Sequence, residues 1–136
     1  MDCDEFVSLV ESELGNHLID PSSTKMGNQC AVDFYHPRTK ERLKNQAGQV
    51  APMYRSGVVW LEPTRTISLE LRVPDDFDDE VTKVLSDHPF ERTDNRAAPT
   101  SSGDLLSLIH YRIKYDNATE ERIRETLNTV REALKV

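Results

Sequence analysis

The chain has 136 residues, 37% of them apolar and 30% charged, with a formal net charge of −7. That length suits one domain with its own core, and the composition is not that of a disordered or repetitive chain. The acidic balance excludes a general attraction to nucleic acid or anionic membrane, and no apolar run reaches membrane-spanning length.

The charge is unevenly spread. Residues 36–72 carry Arg38, Lys40, Arg42, Lys44, Arg55, Arg65 and Arg72 against Glu41, Glu62 and Glu70, whereas residues 75–136 hold fourteen acids and nine bases. A basic patch and an acidic side are expected. The two cysteines are Cys3 and Cys30, and the chain starts MDCDEF, acidic where a signal peptide would be basic. Both features predict a cytoplasmic protein with two free thiols.

In chain order, the first expected element is a helix. Asp2 or Asp4 can cap it, Phe6, Leu9, Val10 and Leu14 recur at helical spacing, and Gly15 followed by Asn16 ends it. Residues 16–29 read as a connection broken by Pro21 and Gly27. The β-rich run from Cys30 to His36 predicts a strand, closed by Pro37. Residues 37–52 are polar and basic, with Leu43 the only large apolar side chain before Val50; of a short helix and a mobile loop, an exposed loop with a possible helical turn is the expectation.

The clearest pattern follows. Val58 and Trp60 fall on one side of an extended chain, Val59 and Leu61 on the other. Ile67, Leu69, Leu71 and Val73 then share a face, with Thr66, Ser68, Glu70 and Arg72 opposite. Pro63 fits the second position of a turn, so EPTR joins two antiparallel strands. Phe77, Val81, Val84 and Leu85 mark a helical face, and the acids Asp75 to Glu80 gather at its positive end. Residues 89–104 read as a long connection. Leu105 to Tyr115 alternates again, Ile109, Tyr111, Ile113 and Tyr115 against His110, Arg112 and Lys114. A final helix carries the stripe Ile123, Leu127, Val130 and Leu134, with Asn117 and Glu120 as a capping box.

The order α-β-β-β-α-β-α predicts one α+β domain over residues 1–136. Its expected form is a two-layer sandwich, a small and mostly antiparallel sheet of about four strands packed by three helices.

Chemical motifs are scarce. The acid run lacks the glycine and distal acid of a calcium loop. His17, His36, His88 and His110 show no zinc spacing, and His110 reads as an exposed structural histidine. Nucleophile elbows and phosphate loops are absent. No catalytic residue, metal or cofactor is expected. Trp60 reads as sheet packing. The binding residues expected are Arg38, Lys40, Arg42, Lys44, Tyr54 and Arg55, because interleaved cations and aromatics can engage an acidic partner or stack on nucleic acid.

YRSGVVWLEPTRTISLELRVPDDFDDEV, followed later by YRIKYDNATEERIRETLNTVREAL, resembles small uncharacterised domains of the MmcQ/YjbR type. The resemblance covers residues 54–134 and implies a compact α+β sandwich and a DNA-associated role, with no catalytic residues. Together these readings lead to a non-enzymatic binding or regulatory domain acting on another protein, as adaptor or inhibitor. The alternative is nucleic-acid association through residues 38–55. No membrane partner is expected.

Overall fold

The computed structural model describes residues 1–15, 18–19, 30–43, 55–100 and 102–135. The expected loops at 16–28 and 37–52 therefore lie partly outside the described residues. The class is α+β, as the patterning predicts. Among the described residues it holds α1 (Cys3–Leu14), β1 (Cys30–Phe34), α2 (Pro37–Leu43), β2 (Gly57–Leu61), β3 (Ile67–Pro74), α3 (Asp78–Leu85), β4 (Phe90–Pro99), β5 (Leu105–Tyr115) and α4 (Glu120–Leu134). A 3₁₀ turn, Asp75–Phe77, leads into α3. The counts exceed the expected four strands and three helices by β4 and α2.

The strands form one antiparallel sheet in the order β1-β2-β3-β5-β4. The β2–β3 connection is the tight turn expected at EPTR. Arg65 takes a left-handed φ of 61° there, and its carbonyl accepts from Ala118 N at 2.7 Å. The turn is thus pinned to the segment that starts α4.

The alternation decides the faces. Val32, Val59, Leu69, Leu71, Ile109, Tyr111 and Ile113 form one buried cluster with Phe6, Leu9, Val10 and Leu14 of α1, Val81 and Leu85 of α3, and Ile123, Leu127, Val130 and Leu134 of α4. Each fully buried aliphatic side chain there contributes about 1.5–3 kcal/mol. Asp2 caps α1, accepting from Glu5 N at 2.8 Å. The cap of α4 differs from expectation. Thr119 accepts from Arg122 N at 3.1 Å, while Asn117 holds a left-handed φ of 59° two residues earlier. Asparagine tolerates that conformation, so it serves the turn and leaves the cap to threonine.

Parts of two expected loops form regular elements, α2 at Pro37–Leu43 and β4 at Phe90–Pro99. α2 seats Leu43 against Ala98, Leu106 and Leu108, a small second cluster on the opposite face of the sheet. One leucine is enough for a seven-residue helix that needs no wide apolar stripe. β4 is an edge strand whose register shifts between Thr93 and Arg96, so two residues face one on β5 and the period breaks.

Cys3 and Cys30 are joined in a disulfide that ties the start of α1 to β1, in place of the two free thiols expected. The topology brings their Cα atoms to 5.5 Å although they are 27 positions apart in sequence, a proximity that spacing alone does not reveal. No helix among the described residues is long and apolar enough to cross a membrane.

Candidate functional site

The sheet face away from α1, α3 and α4 carries polar side chains in rows set by the register. Trp60, Ser68 and Lys114 lie side by side across β2, β3 and β5; the next row is Asp33, Val58, Glu70, Arg112 and Glu91. The centre of this face is more enclosed than a solvated polar face should be. Asp33, Ser68 and Glu70 are buried, at 3%, 6% and 5% exposure. Charge pairing makes the burial of the two carboxylates tolerable. The Arg72 guanidinium donates to Glu70 Oε1 from both Nε and Nη2 at 2.8 Å. Arg55 Nε lies 3.3 Å from Asp33 Oδ1.

Between β2, β3 and β5 this face opens into a pocket of about 210 Å³ whose lining includes Trp60, Glu62, Ser68, Glu70, Arg112 and Lys114. Trp60 is half-buried on the sheet, between Ala31 and Ser68, and forms part of the wall. Arg112 and Lys114 stand at the rim, 63% and 66% exposed. Arg112 Nε is 3.9 Å from Glu70 Oε2, and Lys114 Nζ is 3.9 Å from Glu62 Oε1. Both distances exceed hydrogen-bond range. His110 is half-buried on the same face, opposite Arg72 and Thr93.

The binding residues expected from sequence are only partly placed. Arg38 and Lys40 fall on α2. Arg42 donates to both carboxylate oxygens of Asp76 at 3.1 Å, and Arg55 is the partner of Asp33. Lys44 and Tyr54 lie outside the described residues. The two whose side chains are described engage different carboxylates, one in the acidic turn before α3 and the other on β1. The pocket residues Ser68, Glu70, Arg112 and Lys114 were visible only as polar alternation, and it is the β3–β5 register that makes them neighbours.

Other polar groups brace the fold. Asp78, at the start of α3, accepts from the buried Tyr111 hydroxyl and from Arg92 at 3.2 and 3.0 Å. One acid of the aspartate run thereby anchors α3 to β4 and β5. The Tyr115 hydroxyl is 2.6 Å from His88 Nδ1, with Arg122 over its ring at 4.8 Å. Burial pushes the Tyr115 pKa above its usual value, Arg122 opposing and Glu125 adding. On its other side the His88 ring places Nε2 3.4 Å from Thr129 Oγ1. A second cavity, about 370 Å³, sits where His36 meets the end of α4. His36 Nε2 is 2.9 Å from Leu134 O, capping that helix, and the acids beside it are engaged, Asp76 by Arg42 and Glu80 by Lys135. Among the described residues no three His, Cys, Asp or Glu side chains are grouped to hold a metal.

No family model, curated protein or solved structure matches this chain.

Proposed function

We propose that this chain is a binding domain that docks a partner protein on the sheet face opposite α1, α3 and α4, at the pocket between β2, β3 and β5. The observation that carries the reading is the pocket itself. It has a half-buried tryptophan for a wall and two exposed cations whose nearest carboxylates among the described residues lie 3.9 Å away. Tryptophan and arginine at a partly desolvated concavity are the side chains that dominate binding energy at protein interfaces. The organising picture is a sandwich-like sheet that spends one face on its helices and offers part of the other. The resemblance of residues 54–134 to the MmcQ/YjbR type is compatible with such a scaffold, supplies no catalytic residues, and by its implied DNA-associated role speaks for the nucleic-acid alternative. The nucleic-acid alternative is weaker, because Arg42 and Arg55 are already neutralised by Asp76 and Asp33. Disulfides are rare in reducing compartments, so the bonded cysteines favour an oxidising setting over the cytoplasmic one read from sequence.

The test is site-specific photo-cross-linking in the native cell, with benzoylphenylalanine placed at Lys114 or, as control, at Glu121 on the exposed side of α4. The reading expects one discrete protein adduct from position 114 and none from 121. Adducts from 121 alone would overturn it. Adducts at 114 that vanish with nuclease would move the reading to nucleic acid.

A further inference from the structure

Asn117 is exposed, and the capping role expected of it belongs to Thr119, which accepts from Arg122 N. Its own place is the connection from β5 to α4, at a left-handed φ of 59°. The connection is held at its next residue, where Ala118 N donates to Arg65 O at 2.7 Å. Asn117-Ala118-Thr119 reads N-x-T, the acceptor motif of asparagine-linked glycosylation, and none of Asn16, Asn28, Asn45, Asn95 or Asn128 begins an N-x-S/T triplet. Local structure does not demand this pair. Glycine fits a left-handed turn at least as well as asparagine. Serine, aspartate and asparagine cap a helix at least as well as threonine. The two residues present meet both local needs and also spell the motif.

We infer that Asn117 is a site of asparagine-linked glycosylation. The Cys3–Cys30 disulfide is the second, independent observation. It favours an oxidising setting, and asparagine-linked sugars are carried on surface loops of chains exported to such settings. The inference rests on that setting and not on the docking reading. Sterics agree. Asn117 lies outside both β5 and α4, and its neighbours Asp116, Thr119 and Glu120 are exposed as well, so a bulky polar group here displaces no core contact. The co-reactant is an oligosaccharide linked to a lipid through pyrophosphate. Asn117 Nδ2 attacks the anomeric carbon, and a C–N bond forms as the C–O bond to pyrophosphate breaks. The lipid pyrophosphate leaves with that electron pair, and the nitrogen gives up one proton. No electrons pass to an oxidant or reductant.

The experiment takes the whole protein from its native cell, alkylates it without reduction and digests it with trypsin. Cleavage after Lys114 and Arg122 releases residues 115–122 as one peptide. The expected result is that this peptide carries added sugar mass, that fragmentation places the sugar on Asn117, and that neither cysteine is alkylated. Three variants made in the same cell separate the motif from its surroundings. Asn117→Asp keeps a side chain that tolerates the left-handed turn and should lose the added mass entirely. Thr119→Ala should lose it as well, whereas Thr119→Ser, which preserves both motif and cap, should keep it. Both positions are exposed, so melting curves should show all three variants folded. Sugar that persists in Asn117→Asp would lie on another residue and overturn the inference. A bare peptide with both cysteines protected from alkylation would overturn it and leave the oxidising setting standing. A bare peptide with alkylated cysteines would overturn both. Docking is judged separately, by the cross-linking at position 114.

Discussion

Gly57 shows how a single residue can hold the sheet together by what it lacks. A Cβ there would lie 2.2 Å from Phe34 Cζ and 2.5 Å from Glu70 O. The phenyl ring of the edge strand fills the space over the glycine, and β3 passes close behind. Gly57→Ala must displace either the ring or the β3 backbone, an overpacking cost of about 1–3 kcal/mol. A urea titration should show a lower midpoint at unchanged slope, and an unchanged midpoint would mean that Phe34 swings aside freely. Tyr115 gives a second prediction at this scale, with a sign fixed by linkage. Burial raises its folded pKa above the unfolded value near 10. The folded state therefore keeps the proton that the unfolded chain releases first. The contribution is full below the unfolded value and is lost as pH climbs through the folded one. Melting temperatures between pH 9 and about 11 should fall more for the native protein than for Tyr115→Phe. Parallel curves would show that the hydroxyl ionises as readily folded as unfolded.

Among the elements, α4 separates cap from turn. Thr119→Ala removes the side-chain acceptor for Arg122 N and should cost about 1 kcal/mol. Asn117→Gly should be near neutral, because the left-handed backbone that asparagine tolerates suits glycine at least as well. Chemical denaturation of the two variants checks the contrast, and the reverse order would restore Asn117 as the cap. The same distinction explains what could be read from the chain. α1, α4, the β2–β3 ribbon and β5 were legible because each puts one apolar face on the core, and a period of 3.6 or 2 survives along its length. β4 was not. Phe90 packs on the core, but Arg92 is drawn to Asp78, and the register shift after Thr93 destroys the alternation. α2 escaped because its burial rests on Leu43 and Thr39, too few positions to show a period. The pocket was half legible. Polar alternation announced Ser68 and Glu70 on one strand and Arg112 and Lys114 on another, but that they face each other is a fact of register, which no local pattern carries.

At the scale of the whole molecule, the disulfide is a long-range constraint on an otherwise ordinary core. It joins α1 to the edge strand β1, bonding residues 27 positions apart. In the chain-entropy picture, closing a loop of that size destabilises the unfolded state by roughly 3–4 kcal/mol. Two outcomes of breaking the bond can be told apart. If it matters only as a clamp, α1 should undock alone, and amide protection should be lost in α1 and β1 while β3 and β5 stay protected. If it acts on the unfolded chain, every globally exchanging amide should lose the same free energy, and the native structure should hardly change. α1 buries Phe6, Leu9, Val10 and Leu14 in the main cluster independently of the bond. Those contacts alone are worth several kcal/mol, so the helix should remain docked. Hydrogen exchange on a Cys3→Ser, Cys30→Ser double variant is therefore expected to show a uniform loss of about 3–4 kcal/mol across β3, β5 and α4. Titration of the unreduced, denatured native chain should find neither thiol free. Protection lost in α1 and β1 alone would show instead that the sulfur bridge, and not the apolar stripe, keeps the first helix on the sheet.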